Sequence, residues 1–207
     1  MNDWFFHPLP MFGFDVGIID PPTEFELYSE NGNAKSASAQ YSVMDWNALA
    51  RMPVGHLFRA NSVIGLWACP PTLRKSMWLL DQWGALYKTE LVWPKGRMGT
   101  GYRSRGMHES VLVAVFGDER QIHDPFYGVI KGRARGNSQK PPEFYAMVRE
   151  RTHGLDRCDL FSRETHEGYV GWGDQAGLFD NGARPQAKKK QKIIAPTPLF
   201  DMFEVAA

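Results

Sequence analysis

The chain has 207 residues, 43% of them hydrophobic with 13 Phe, 7 Tyr and 7 Trp, enough to fill the core of one globular domain with appendages. Its 24 Lys and Arg balance 23 Asp and Glu, which excludes a global basic field, so any nucleic-acid contact must use local patches. Cys69 and Cys158 lack ligand spacing, which argues against a zinc site or a disulfide framework, and no window approaches the roughly 18 apolar residues of a membrane span. Two buried free thiols in a soluble, cytoplasmic protein with no membrane partner are expected.

In chain order, short apolar runs predict strands at Asp15 to Ile19, Ser62 to Trp67, Thr89 to Trp93, Ser110 to Phe116 and Cys158 to Phe161. Helical periodicity falls between them. It covers Val43 to Arg51, Thr72 to Trp83 with Leu73, Met77 and Leu80 on one face, and Pro141 to Arg151 with Phe144, Met147 and Val148. Strands alternating with helices predict an α/β domain whose largely parallel sheet is covered on both faces. Three polar stretches, Tyr28 to Tyr41, Lys95 to Gly106 and Asp118 to Gln139, suit neither element and read as functional loops or unstructured segments. The domain is expected to span 1–178, and residues 179–207, with the run Lys188 to Lys192, form a flexible basic tail.

The sharpest local feature is Ile18-Ile19-Asp20-Pro21-Pro22, an apolar strand ending in an acid and two prolines. In open α/β sheets ligands bind at the carboxyl ends of strands. Asp20 there is either the cap of a Pro-rich turn or a chemical group. The chemical reading has a physical reason. An adenine amino nitrogen is a poor nucleophile because its lone pair is delocalised into the ring. A carboxylate accepting one N–H and a backbone carbonyl accepting the other localise that pair, and two prolines stiffen the turn that aims them.

Asp20-Pro21-Pro22 resembles the D-P-P-W motif of the MT-A70 family of adenine methyltransferases, with Thr23 departing at the fourth position. Downstream, Leu66-Trp67 with Pro70-Pro71, Tyr87 to Lys95, Gly99-Thr100-Gly101-Tyr102 and His108-Glu109 follow the family in order and spacing. So do Ser138-Gln139-Lys140-Pro141-Pro142-Glu143-Phe144-Tyr145, similar to S-x-K-P-x-E-[FL]-Y, and Asp159 to Arg163 with Gly171 to Gln175, similar to E-L-F-x-R and W-G-N-[EQ].

The resemblance implies a Rossmann-like class I methyltransferase fold in the permuted, β-class motif order, with the catalytic acid preceding the main cofactor strand. It implies S-adenosylmethionine as cofactor, no metal, and transfer of a methyl group to N6 of adenine, in DNA ahead of RNA. Asp20, Pro21 and Pro22 would be catalytic; Lys140, Arg163, Asp174 and Gln175 would hold the cofactor, Asp174 standing where the family often has Asn. Substrate contacts would come from Thr23, Phe25, Tyr28, Arg97, Arg103, Arg105, His108 and Glu109, with Phe25, Tyr28 or Trp4 supplying the base-stacking ring that Thr23 lacks. Arg133 and Arg135 read either as phosphate contacts or as solvated loop residues, and His166 either as a ligand-facing histidine or as a solvated one, the latter being the commoner case. The expected partner is nucleic acid, and a homodimer stays open. A second reading of the same residues is a catalytically silent methyltransferase-fold protein that binds nucleic acid or a catalytic partner.

Overall fold

The computed structural model describes residues 4–23, 43–96, 98, 104–118, 124–136 and 139–180. Six strands form one sheet: β1 (Phe14–Ile19), β2 (Phe58–Ala68), β3 (Leu86–Pro94), β4 (His108–Phe116), β5 (Arg157–Leu160) and β6 (Val170–Trp172), in the order β3-β4-β2-β1-β5-β6. β1 is parallel to β2 and β5, and β5 to β6; β4 runs antiparallel to both β2 and β3. Five strands therefore share one direction, and only β4 opposes it. This is the mostly parallel, Rossmann-like sheet expected. The acid that ends β1 precedes β5 in the chain while lying beside it in the sheet.

The central strands are buried on both faces, as their unbroken apolar runs require. One face, carrying Phe14, Ile64, Leu66, Leu112 and Leu160, packs on helix α1 (Trp46–Ala50), helix α2 (Leu73–Gln82) and the N-terminal Phe6 and Leu9. The other, carrying Val16, Ile18, Val63, Trp67 and Val113, packs on helix α3 (Pro142–Arg151) and Ile130. Asp45 caps α1, accepting the amides of Asn47 and Ala48 at 2.9 and 3.3 Å.

The helices differ from the sequence expectation in their buried faces. In α2 the buried residues are Ser76, Leu79 and Leu80, while Leu73 is exposed; in α3 Tyr145 joins Phe144 and Val148, and Met147 is half-buried. Strand β6 escaped the sequence reading because three residues hold no alternation. Strand β5 stops at Leu160, one residue early, because Phe161 takes left-handed backbone with φ 64°. Cys158 is buried, but Cys69 is only half-buried, its backbone N–H donating to Thr72 Oγ1. No helix among the described residues is long and apolar enough to cross a membrane.

Gly17, in the middle of β1, lies under the ring of Phe58, which stacks on Phe116 with centroids 5.5 Å apart. A Cβ at Gly17 would come within 2.3 Å of that ring, so the close approach of strand and ring needs glycine. Gly17→Ala should therefore destabilise the fold by about 1–3 kcal/mol through overpacking, seen as a lower urea midpoint with unchanged far-ultraviolet circular dichroism.

Candidate active site

Asp20 follows β1 directly, and its backbone N–H donates to the Leu160 carbonyl of β5 at 3.2 Å. The turn after it is tied by two further bonds: Thr23 N–H to the Pro21 carbonyl and Met44 N–H to the Pro22 carbonyl, both 2.8 Å. Each carbonyl keeps a second lone pair.

Lys140, just before α3, is buried and places Nζ 3.1 Å from Asp20 Oδ1 and 3.0 Å from Glu109 Oε2. Glu109 also accepts from Lys95 through Oε1, so Asp20, Lys140, Glu109 and Lys95 form a chain of alternating charge. The Lys140 ammonium lies 4.9 Å from the ring centroid of Trp67. Burial alone would favour neutral Lys140, but the two carboxylates outweigh it and raise its pKa. Burial would likewise raise Glu109, yet Lys140 and Lys95 take it down to about 2. Both groups stay ionised because each is the other's partner.

Asp159, in β5, has the opposite environment. Its side chain is 1% exposed, and neither carboxyl oxygen makes a well-formed hydrogen bond, although the Ser162 and Tyr145 hydroxyls lie close enough to act on it; His166 Nε2 is 3.9 Å from Oδ2. The Ser162 hydroxyl donates to the Glu164 carbonyl at 2.6 Å instead. Burial, opposed by the nearby Ser162 and reinforced by the charge of Asp20, pushes the Asp159 carboxyl to about 8. Tyr145 stacks on His166 with centroids 3.4 Å apart, and burial lowers the His166 imidazole to about 4.

Most of these groups line one cleft at the carboxyl end of the sheet, formed by Asp20, Gln139, Lys140, Tyr145, Asp159, Phe161, Ser162, Arg163, Glu164, His166 and Phe179, with Glu109 and Lys95 behind Lys140.

Of the residues expected from sequence, Asp20, Lys140 and Arg163 meet in this cleft, with the guanidinium of Arg163 5.2 Å from the Phe179 ring. Pro21 and Pro22 form the adjoining turn. Asp174 and Gln175 follow β6 and do not line the cleft. Glu109, expected to touch substrate, instead has both oxygens engaged by lysines, while His108 and Arg105 are exposed. Phe25, Tyr28, Arg97 and Arg103 lie outside the described residues, as do the whole Tyr28 to Tyr41 loop and residues 181–207. Trp4 is half-buried in the N-terminal turn, its indole N–H held by the Leu9 carbonyl.

The surroundings of several residues differ from the sequence expectation or decide between its alternatives. Arg135 is no solvated residue, since it makes a two-pronged pair with Glu164 at 2.9 and 2.7 Å. Arg133 is exposed. His166 is packed on the Tyr145 ring and lines the cleft, as the ligand-facing reading requires and the solvated one does not. Phe179, assigned to the tail, is buried in the cleft wall, and Asp180 accepts from the Thr165 amide and hydroxyl at 2.7 and 2.6 Å. Asp159 and Tyr145 were missed as site residues although both stand within the blocks that carry the family resemblance.

A family model described as MT-A70 matches residues 14–175. The chain is 27% identical over 198 residues to a Medicago truncatula protein named N(6)-adenosine-methyltransferase MT-A70-like, covering 89% of this chain but only 30% of that protein. It is 25% identical over 193 residues to the Type II methyltransferase M.MunI of a Mycoplasma species, covering 83% of this chain and 81% of the relative.

The isolation of Asp159 has a consequence for stability. The folded chain holds its proton up to about 8 whereas the unfolded chain releases it near the ordinary value of 3.8, so the folded state binds more protons between them and stability falls as pH rises across that window. Asp159→Asn removes this loss. Its urea midpoint should exceed that of the parent by a margin that widens from about pH 5 to about pH 8; parallel midpoints across the window would show that Asp159 ionises normally.

Proposed function

Because the chain belongs to the MT-A70 family, we propose that it transfers a methyl group from S-adenosylmethionine to the N6 amino group of adenine in DNA. The observation that carries this reading is that the Asp20-Pro21-Pro22 turn and the Phe161 to Arg163 end of β5 open into the same cleft, on neighbouring parallel strands. DNA stands ahead of RNA because the chain corresponds to most of the relative named Type II methyltransferase and to a minor part of the one named for adenosine.

The residues present fit the cofactor. Asp159 is a buried acid with no well-formed hydrogen bond, suited to an ammonium group or hydroxyls, and Phe161, His166 and Phe179 provide ring walls beside the Arg163 cation. Lys140, Arg163, Asp174 and Gln175 are the cofactor residues the family pattern assigns. When bound, S-adenosylmethionine supplies an electrophilic methyl group on a sulfonium.

The chain's own part is positioning and fixed acceptors. Lys140 holds Asp20 by Oδ1, so the carboxylate cannot swing away when an adenine enters. The amino group donates one N–H to Asp20 and the other to the free lone pair of a proline carbonyl in the turn. Lone-pair density thus returns to nitrogen as the bond forms. Glu109 balances the charge of Lys140, so the ammonium does not strip Asp20 of its power to accept. For duplex DNA the adenine is flipped out, and exposed Arg105, with Arg97 and Arg103, serves the phosphates.

The test is transfer of tritiated methyl from S-adenosylmethionine to genomic DNA lacking adenine methylation, to its denatured strands and to RNA. The parent should label DNA above RNA, with the label recovered as N6-methyladenine. Asp20→Ala should lower the rate by about 10²–10³ while cofactor affinity, read by calorimetry, changes little. Parent protein silent on all three nucleic acids overturns the reading, and full rate in Asp20→Ala reduces Asp20 to a turn residue.

A further inference from the structure

Residues 4–13 precede the span matched by the family model, yet they are built into the molecule. Phe6 is fully buried and Leu9 nearly so. The segment closes on itself, with the His7 amide bonded to the Trp4 carbonyl at 3.1 Å and the Leu9 amide to the Phe6 carbonyl at 2.8 Å. Its rings then reach Trp172 in β6. The Phe6 ring lies 4.9 Å from that indole at 67°, Phe5 lies 6.0 Å away, and the indole N–H donates to the His7 carbonyl at 3.4 Å.

Trp172 in turn holds Phe161. Its carbonyl accepts the Phe161 amide, and the two rings meet edge to face at 5.8 Å. Phe161 is a wall of the cleft and sits in left-handed backbone, a conformation that a bulky residue keeps only when its surroundings hold it there. Gly173 closes the packing, for a Cβ at that position would lie 3.0 Å from Phe161 Cα.

We propose that residues 4–9 are a positioning clamp that sets the Phe161 wall of the cleft through Trp172, and with it the affinity for the ligand held there. That this ligand is S-adenosylmethionine rests on the function proposed above; the clamp itself does not. A segment outside the family span thus tunes a pocket inside it.

Phe5 is the residue to change, because it is only half-buried, at the edge of the core, where its ring contacts Phe6 and Trp172. In the full chain, Phe5→Ala should weaken S-adenosylhomocysteine binding by about three- to tenfold, the span one aromatic pair supports, with a cooperative melting transition retained. Phe5→Tyr should restore it. Independently of any ligand, hydrogen exchange of the Phe161 amide should accelerate in Phe5→Ala and return in Phe5→Tyr. Unchanged exchange at Phe161 overturns the clamp, as does parental affinity in Phe5→Ala. Parent protein that binds no S-adenosylhomocysteine sinks the methyltransferase reading instead, and Phe161 exchange still decides the clamp.

Discussion

The ammonium of Lys140 between Asp20 and Glu109 is the constraint on which the site depends. A lysine this deep is costly unless two acids meet it, and removing one partner from such a group is more damaging than any exposed pair is helpful. The three residues come from the end of β1, the start of β4 and the approach to α3. In an all-parallel sheet the start of a strand lies at the edge opposite the ends of its neighbours. Only because β4 runs against β2, with Ser110 opposite Ala68, does Glu109 arrive at the carboxyl edge where Asp20 emerges. The single reversed strand is therefore a requirement of the charge chain as much as a feature of topology.

Two acids, Asp20 and Asp159, stand at the ends of neighbouring strands in one cleft, and their surroundings divide the work between them. Asp20 is half-exposed and ion-paired; Asp159 is sealed and makes no well-formed hydrogen bond. Environments that push two like groups apart are how a fold assigns different tasks to the same side chain. Paired and oriented, Asp20 suits an acceptor that must be ready for an incoming amino group. Asp159 gains most from a ligand that brings its own donors, since such a ligand replaces solvation the fold has removed.

How much of this was legible in the sequence follows from the range of the interactions. Strands β1, β2 and β4 are read directly, because burial on both faces writes itself as an apolar run. The sites of Asp20, Lys140 and Arg163 are read through the order and spacing of short motifs. What the chain does not display locally is pairing across distance. Glu109 looks like a surface acid before a strand until Lys95 and Lys140 close on it, and His166 looks like a loop histidine until Tyr145 lies against it. Phe179 falls in a stretch whose composition turns to linker, yet one ring suffices to return the chain to the cleft. The antiparallel pairing of β3 and β4 is equally hidden, since the run Leu86 to Pro94 is mostly exposed in its first half and carries no sign of its direction.

Thr23 is where the motif departs from its family, and the backbone explains what threonine does there. Thr23 bridges Met44, and the Met44 amide binds the Pro22 carbonyl, so the position must be extended. A β-branched residue favours that backbone. The bridge pins the chain as it leaves the turn at Thr23 and as it returns at Met44, which places both ends of the intervening segment at the rim beside Asp20. An aromatic ring stacked on a base is worth roughly 1–3 kcal/mol. Threonine cannot supply that surface; under the proposed function, a ring from the segment that leaves and returns at this rim would take its place. Phe25 and Tyr28 fall within the span so tethered, whereas Trp4 is committed to the N-terminal turn by its bond to Leu9. The hydrogen bonds at Thr23 and Met44 thus fix the two ends of that segment beside Asp20.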